Sequence, residues 1–304
     1  MKWLSFIGLL TVATALAQPI EVEDDSGRLV RLPGPAQRIV ALAPHITELL
    51  FAAGAGDRVV GTTSYSDYPA AAKAIPVIGG YEQINFERLL ALQPDLIIAW
   101  YSGNTAETIE KLGLLALPVY MSEPKSLAGI SRNIRRFGQL AGTSTLAQSR
   151  ARAFDERRQR LRQANADKSP LGVFYQVWED PLYTLGGGHF ISDLFALCGG
   201  YNVFAGLDDP APIVGVEAVI SRNPQVMLAG NHHGERSLQQ WKASWQRWPA
   251  IAAVANDQLF FVNQDLFTRS GPRSLDAAER LCEILDQARA RYYGGPQVSP
   301  QAAP

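Results

Sequence analysis

Apolar and polar positions along this chain follow two alternating periods, one typical of β-strands and one typical of helices. Near the start, residues 20–32 alternate in the strand period around D-D-S-G, which predicts a β-hairpin. Short apolar runs then alternate with helical stretches, predicting strands at 38–43, 59–62, 95–99 and 118–121 and helices at 47–53, 86–92, 105–112 and 126–140. Strands that alternate with helices in this way indicate a parallel sheet covered by helices.

The second half of the chain repeats this pattern. Strands are predicted at 172–177, 225–229 and 259–262, and helices at 190–197, 217–221 and 274–292. Glu87 and Glu217 each stand seven residues before a proline that leads into an apolar run, L-I-I-A in one half and V-M-L-A in the other. E-L-L-F-A-A-G from residue 48 likewise resembles D-L-F-A-L-C-G from residue 193. The sequence therefore predicts two similar α/β lobes, 18–142 and 168–293, with a ligand cleft between them.

Residues 143–167 join the two predicted lobes. This segment holds no Gly or Pro and is dense in Ala, Gln, Arg and Leu, which favour helices, and Thr143 or Ser144 can cap its start. Its apolar stripe is thin and consists of Leu146, Phe154 and Leu161. Most of the helix should therefore face water. Because heptads are not sustained, we interpret the helix as a rigid connection between two lobes and not as a coiled coil.

The first 17 residues have the pattern of a secretory signal peptide. Lys2 precedes an apolar run at 4–16, and Ala15-Leu16-Ala17 forms a cleavage site. The run is too short to span a membrane, and no cysteine follows the cleavage site to carry a lipid. Retention of an unanchored protein indicates the periplasm of a bacterium with two membranes. The last residues, 294–304, are rich in Pro, Gln and Ala and are predicted to be disordered.

Charge and cysteine content narrow the class of protein. A net charge of -1 over 304 residues gives no reason to expect a nucleic-acid partner. Cys198 and Cys282 are the only cysteines. A chain bound for an oxidising compartment is expected to join them in a disulfide, and two buried free thiols are the alternative. Closing a loop of about 85 residues would contribute at most ~4–5 kcal/mol to stability.

Several residues that suggest catalysis or metal binding have simpler interpretations. The four histidines lack helical spacing and a carboxylate cluster, so no metal site is predicted, and we interpret the His232-His233 pair as a solvated loop. Gly186-Gly187-Gly188 precedes a helix and could form an anion nest, but no Lys or Arg lies nearby and a flexible turn is favoured. Glu87 and Glu217 could act as an acid and base pair. Each opens a helix at an equivalent place in its lobe, however, which favours a two-point docking surface.

Aromatic and charged side chains cluster where strands are predicted to end. Just beyond the carboxyl ends of predicted strands come Tyr65, Tyr68, Trp100 and Tyr183. Tyr81 lies in a Gly-rich loop, and Asp265 and Arg269 follow the strand that ends at residue 262. Open α/β sheets bind ligands at this edge. The sequence thus favours a ligand with a large, flat, partly apolar surface over ordinary core packing of these rings.

Five longer motifs link the chain to a known family. They are R-I-V-A-L-A-P-H-I-T-E-L-L from residue 38, S-Y-S-D-Y-P at 64–69, N-F-E-R-L-L-A-L-Q-P-D-L-I-I-A-W at 85–100, C-G-G-Y-N-V-F at 198–204 and D-L-F-T-R-S-G-P-R at 265–273. Over residues 36–290 the chain resembles the cobalamin-binding members of the class III periplasmic binding proteins, which serve ABC importers and whose two lobes share one helix. The resemblance implies a non-enzymatic, monomeric receptor that carries cobalamin to an inner-membrane permease and uses no cofactor.

The resemblance also implies roles for particular residues. The corrin ring would contact four aromatic side chains, Tyr65, Tyr81, Trp100 and Tyr183. The amides on its rim would meet Asp265 and Arg269. Glu87 and Glu217 would dock onto arginines of the permease. Cys198 and Cys282 match the family's disulfide.

One position departs from the family pattern. Ala211 stands where a relative has a ligand-stacking Trp. Trp178 follows the first strand of the second lobe and could replace that ring in the cleft. The alternative is that Trp178 only covers the turn before Tyr183.

Two other functions are the alternatives. A siderophore or haem receptor of the same fold would call for an Arg cluster or a His or Tyr iron ligand in the cleft, and neither is evident from the sequence. A secreted hydrolase would use Glu87 and Glu217, which would have to approach within about 10 Å of each other. Docking to a permease predicts them far apart, one on each lobe.

Overall fold

The computed structural model of the protein describes residues 19–231 and 237–294. The predicted signal peptide, the His232-His233 pair and the predicted tail beyond Gly294 lie outside the described residues. Within the described ranges, no helix is long and apolar enough to cross a membrane.

The first lobe opens with the predicted hairpin and continues as a parallel sheet with helices. The hairpin strands β1 (Ile20–Glu23) and β2 (Leu29–Leu32) pair antiparallel. The sheet strands are β3 (Ile39–Ala41), β4 (Val59–Gly61), β5 (Leu96–Trp100) and β6 (Val119–Ser122). The helices are α1 (Pro44–Ala52), α2 (Phe86–Ala91), α3 (Ala106–Gly113) and α4 (Leu127–Leu140). All four sheet strands run parallel, in the order β4-β3-β5-β6.

One long helix, α5 (Ser144–Asn165), leads into a second lobe that is built like the first. Its strands are β7 (Leu171–Gln176), β8 (Gly200–Asn202), β9 (Val226–Gly230) and β10 (Leu259–Val262). Its helices are α6 (Phe190–Leu197), α7 (Val216–Arg222), α8 (Leu238–Trp245), α9 (Ala252–Ala255), α10 (Gln264–Thr268) and α11 (Ser274–Tyr293). The parallel order β8-β7-β9-β10 repeats that of the first sheet, strand by strand. The predicted fold class, two similar α/β lobes connected by one long helix, is confirmed.

The periodic pattern does not reveal every element. β8 has three residues, and α9 and α10 have four and five, which is too short for a period to show. α8 is also absent from the prediction because only Trp241 and Trp245 of its eight residues are buried. The first sheet strand ends at Ala41, two residues before the predicted end. Pro44 occupies the first turn of α1, where its missing N–H costs nothing.

The connecting helix α5 is mostly exposed, as predicted, but it is not free-standing. Of its 22 residues only Ala147, Ala151, Phe154 and Asn165 are buried. The predicted apolar stripe is therefore partly wrong, since Leu146 is 46% exposed and alanines make the contact instead. A Cβ on Gly138 of α4 would lie 2.2 Å from the Cβ of Ala147, so small residues set how closely α4 and α5 pack.

The start of α5 also differs from the prediction. Neither Thr143 nor Ser144 caps the helix with its side chain. The Thr143 hydroxyl instead donates to the carbonyl of Ala53, just beyond α1, at 2.7 Å. The threonine thus ties the start of the connecting helix to the first lobe.

A single apolar core runs from one lobe into the other at the base of the cleft. It includes Ile46 of α1 and Phe137 of α4 on one side, Leu194 of α6 and Leu281 of α11 on the other, and Phe154 of α5 between them. Arg157 of α5 adds ion pairs to Asp276 and Glu279 of α11, both at 2.7 Å. The two lobes are therefore joined by shared packing as well as by one helix.

The predicted disulfide is confirmed. Cys198, which follows α6, is bonded to Cys282 of α11. The bond crosses the interior of the second lobe, where Cys198 is fully buried, and closes a loop with a sequence separation of 84.

Candidate functional site

A cavity of about 710 Å³ lies between the carboxyl ends of the strands of the two lobes. From the first lobe it is lined by Pro44, His45, Tyr65, Tyr81 and Trp100. From the second lobe it is lined by Asn231, residues 261–265, Thr268 and Arg269. The cavity therefore brings together five of the six residues predicted to contact a ligand, and it leaves out Tyr183.

Aromatic rings form the first-lobe wall of this cavity. Tyr65 is 70% exposed and has a φ of +66°, a left-handed conformation that bulky residues rarely adopt. The rings of Tyr81 and Trp100 lie 5.7 Å apart with their planes at 51°. Trp100 packs over Gly103, where a Cβ would lie 2.0 Å from the indole ring. An open aromatic surface is thus held in place before any ligand arrives.

Buried Asn104 holds the aromatic wall in position. Its side-chain oxygen accepts a hydrogen bond from the backbone N–H of Trp100 at 2.7 Å. Its amide nitrogen donates to the carbonyls of Tyr81 and Leu42, at 2.6 and 3.0 Å. One side chain therefore links the ends of β3 and β5 to the loop that carries Tyr81. No local pattern in the sequence indicates this role.

His45 is a cavity residue that the sequence analysis does not select. It is 4% exposed and sits edge-on against Trp100, with ring centres 5.2 Å apart. Burial, and then the charge of Arg269, lower the pKa of His45 to about 3, so it is neutral at physiological pH. Its Nε2 has no hydrogen-bond partner among the described residues. His45, like Trp100, lies just beyond the end of a predicted strand. The same sequence criterion therefore identifies both residues.

Five charged side chains form an ion-pair cluster that crosses from one lobe to the other. Glu48 of α1 receives two hydrogen bonds from Arg273, at 2.6 and 2.9 Å, and one from Arg269 at 3.3 Å. Arg269 also donates to Asp67 at 3.0 Å and to Asp265 at 2.9 Å. We call Glu48, Asp67, Asp265, Arg269 and Arg273 the cleft ion cluster.

The cluster perturbs its own members and packs on an aromatic ring. Burial acts to raise the pKa of Asp67, but its hydrogen bond to Arg269 and the charge of that arginine outweigh burial and lower it. Burial likewise acts to lower the pKa of Arg273, and its contacts with Glu48 outweigh this and raise it. The Arg273 guanidinium also lies 4.0 Å from the centre of the Tyr68 ring. Both pKa shifts favour the charged forms of Asp67 and Arg273, and these contacts hold the two side chains in place.

Tyr183 is not among the residues that line this cavity. It pairs across an antiparallel bridge with Trp178 on one side and with Ile213 on the other. Bridge partners project to the same side, so the three side chains share one face, on which Trp178 is 50% and Ile213 59% exposed. We call these three residues the Trp178 patch. Ala211 lies two residues before Ile213 and is exposed. The replacement of the missing Trp by Trp178 stays a prediction.

Gly187 and Gly188 lie in a turn, as predicted, but Gly186 and Gly187 also pack closely against a second backbone segment. The N–H groups of Gly186 and Gly187 donate to the carbonyls of Pro210 and Leu207. A Cβ on either glycine would lie about 2 Å from a backbone oxygen of the facing segment. The glycines allow close packing of two backbone segments. Because the N–H groups of Gly186 and Gly187 already donate to backbone carbonyls, they are not available to an anion, and the anion nest is excluded.

Glu87 and Glu217 lie outside the cavity lining. Both are exposed and stand in the first turn of a helix, α2 and α7, that precedes the third strand of its sheet. Asn85 caps α2 by accepting a hydrogen bond from the N–H of Arg88. The two carboxylates therefore occupy equivalent positions on different lobes. Across residues 19–231 and 237–294, no group of three or more His, Cys, Asp or Glu side chains is arranged to hold a metal ion.

Comparison with known proteins decides the family. Residues 39–266 match the family model described as periplasmic binding protein. The chain belongs to the periplasmic binding protein family. A vitamin B12-binding protein of Vibrio cholerae serotype O1 is 40% identical over 261 residues, which covers 86% of this chain and 93% of the relative.

The solved structures that resemble this periplasmic binding protein include one named for vitamin B12 and one named for haem. The periplasmic vitamin B12 binding protein BtuF of Vibrio cholerae has a TM-score of 0.75 and 39% identity, over 84% of this chain and 98% of that chain. The periplasmic haem-binding protein RhuT from Roseiflexus sp. RS-1, in its apo form, has a TM-score of 0.71 and 24% identity, over 83% and 99%. The second likeness shows a common fold alone. The fold is therefore compatible with both kinds of protein, and the residues of the cleft must discriminate between their ligands.

Proposed function

We propose that this periplasmic binding protein captures cobalamin or a related corrinoid in the cleft and delivers it to an ABC importer in the inner membrane. It does so as a monomer, without catalysis, in the periplasm, with lobes of 18–142 and 168–293 around the helix 143–167. The observation that carries the proposal is the cavity, in which five of the six predicted contact residues meet. The 40% identity to a vitamin B12-binding protein supports the same ligand.

The two walls of the cavity suit the two surfaces of a corrin ring. Tyr65, Tyr81 and Trp100 offer an aromatic wall to the ring face, and Asp265 and Arg269 offer an acceptor and donors to the amides of the rim. Burying ~70 Å² on each of three rings gives roughly 5 kcal/mol at ~25 cal/mol per Å². Association costs of ~4–15 kcal/mol offset much or all of that, so the polar contacts to the rim are required as well.

A haem receptor is the second candidate, and two observations favour it. Tyr65 and His45 line the cavity, so the cleft contains two kinds of side chain that can bind haem iron. Against Tyr81 as a further iron ligand, burial and then Glu82 raise its pKa, which disfavours the phenolate that binds ferric iron. Carboxylates also neutralise the charge of Arg269, which would otherwise attract haem propionates. The corrinoid, whose rim carries neutral amides, is the better match.

Glu87 and Glu217 are proposed to dock onto arginines of the permease. Each is exposed at the start of a helix on its own lobe, and the pair is related by the internal repeat. A hydrolase would need the two carboxylates in one cavity, and neither lines the cleft. Two equivalent carboxylates on two lobes suit a partner with two equivalent binding points.

Equilibrium dialysis of the protein without residues 1–17 tests the proposed function. We expect one cyanocobalamin per chain with a Kd of about 1 μM or tighter, which is a binding free energy of about -8 kcal/mol. Haemin should bind at least tenfold more weakly. Failure of cyanocobalamin to bind saturably, or tighter binding of haemin, would refute the proposal.

A further inference from the structure

Selection between tetrapyrroles on one fold must depend on the few groups that differ between them. A corrin rim carries amides, which both donate and accept hydrogen bonds, whereas a haem rim carries carboxylates, which only accept. In the cavity lining, Asp265 can only accept, and Arg269 can only donate. Among the described residues of that lining, Arg269 is the one cation. Whether the cleft attracts or repels a carboxylate of the ligand therefore depends on how far neighbouring carboxylates of the protein neutralise the charge of Arg269.

Neighbouring carboxylates neutralise the charge of Arg269. The cleft ion cluster holds three carboxylates and two guanidinium groups, which is one net negative charge. Two of the three nitrogens of Arg269 face carboxylates, Nη1 toward Glu48 and Asp67 and Nη2 toward Asp265. The other arginine, Arg273, is held by Glu48 through two hydrogen bonds.

Glu48 has the largest effect of the three carboxylates. Its side chain is 1% exposed, while those of Asp265 and Asp67 are 41% and 52% exposed and are screened by water. It is also the one member of the cluster's carboxylates that contacts both arginines. Gly271 leaves room for it, because a Cβ there would lie 3.2 Å from the Glu48 oxygen.

Resting on the corrinoid function, we propose that Glu48 sets the charge selectivity of the cleft. Its carboxylate neutralises the charges of Arg269 and Arg273. The cleft therefore binds a tetrapyrrole with neutral amides more tightly than one with carboxylates. Glu48 lines no part of the cavity itself and acts through the arginine that does. It is therefore a positioning and selectivity residue, separate from the groups that touch the ligand.

A matched pair of ligands tests this inference without changing the shape of the ring. The pair is cyanocobalamin and its monocarboxylic acids, in each of which one propionamide of the corrin rim is hydrolysed to a carboxylate. We expect at least one acid isomer to bind the wild-type protein about tenfold more weakly than cyanocobalamin, or about 1.4 kcal/mol. One unit charge about 12 Å away contributes this much at an effective dielectric constant of about 20.

The ratio of the two Kd values, acid over cyanocobalamin, is thus about ten in the wild type. The Glu48→Gln variant should reduce this ratio to below about three, because the cluster then has no net charge. Glu283→Gln is the matched control, since it makes the same change in net charge at an exposed site on α11, where the side chain is 66% exposed. The control should keep the wild-type ratio. Affinities are measured by calorimetry, and circular dichroism checks that each variant is folded.

The outcomes separate this inference from the function on which it rests. An unchanged ratio in a Glu48→Gln protein that still binds cyanocobalamin would overturn the inference alone, as would equal wild-type affinities for the amide and all acids. Loss of cyanocobalamin binding by the wild-type protein would overturn the proposed function and the inference together. If Glu48→Gln does not fold, Arg273→Gln removes one positive charge from the same cluster at a residue that does not line the cavity, and it should raise the ratio. An unchanged ratio in that variant would then overturn the inference.

Discussion

Replacing Tyr65 separately by alanine and by phenylalanine distinguishes ring stacking from metal ligation. Alanine removes the ring, whereas phenylalanine keeps the ring and removes only the hydroxyl. A stacked corrin needs the ring and not the hydroxyl. A haem iron bound by Tyr65 needs the hydroxyl oxygen. The two variants therefore give opposite patterns under the two candidate functions.

The exposure of Tyr65 sets the size of the effect. The residue is 70% exposed in the free protein. An aromatic side chain buries about 200 Å² when it is covered on all sides, so roughly 140 Å² is available here. A flat ligand that covers half of it removes about 70 Å² from water, which is worth ~1.8 kcal/mol. Tyr65→Ala should thus weaken cyanocobalamin binding by about 20-fold.

Isothermal titration calorimetry with cyanocobalamin measures the effect. Tyr65→Phe should change the Kd by less than about threefold, because the ring is retained. Tyr201→Ala is the control, since Tyr201 is 54% exposed on β8, the edge strand opposite β10, and does not line the cavity. It should leave the affinity unchanged. The reasoning fails if Tyr65→Ala binds like the wild type, or if Tyr65→Phe loses as much affinity as Tyr65→Ala.

Four further predictions concern other parts of the molecule. Small-angle scattering should show only a small decrease in the radius of gyration on adding cyanocobalamin, because the core shared by the lobes resists hinge motion. A large decrease would contradict this. Glu87→Ala and Glu217→Ala should leave cyanocobalamin affinity unchanged and make association with the reconstituted permease slower and more salt-sensitive; a tenfold loss of ligand affinity would exclude the docking role. The pKa of His45 is about 3 in the folded state, against 6.5 when exposed, so the unfolded state takes up the proton first. The free energy of unfolding should therefore fall as pH drops from 6.5 toward 3, and less steeply in His45→Gln by urea titration; equal slopes would contradict the assignment. Trp178→Ala should weaken cyanocobalamin binding about tenfold, and Ala211→Trp should add little, by fluorescence quenching. Unchanged affinity in Trp178→Ala would exclude the replacement of the missing Trp.

The fold class is predictable from the sequence because strand and helix periods are local properties. The internal repeat around Glu87 and Glu217 is visible for the same reason, and both carboxylates open a helix before the third strand of their sheets. Much of the cavity is predictable as well. Parallel strands bring their carboxyl ends to one edge, so that side chains such as Trp100 and Asp265 meet there although they are far apart in the chain.

The parts that the sequence does not reveal depend on contacts between distant segments. Glu48 meets Arg269 and Arg273 across more than 200 residues, and nothing near residue 48 indicates an ionic partner. Tyr183 also follows a strand, but antiparallel bridges pair it with Trp178 and Ile213, and it is not part of the cavity lining. Position after a strand end therefore identifies many residues of this site but is not sufficient to define it.

A crystal structure of the protein saturated with cyanocobalamin tests the central claim most directly. The account predicts the corrin ring in the cavity between the lobes, with one face on Tyr65, Tyr81 and Trp100 and rim amides within hydrogen-bond distance of Asp265 and Arg269. Glu48 should still hold both arginines in the complex. A corrin bound outside this cavity, or a cleft that stays empty at saturating ligand, would contradict the account.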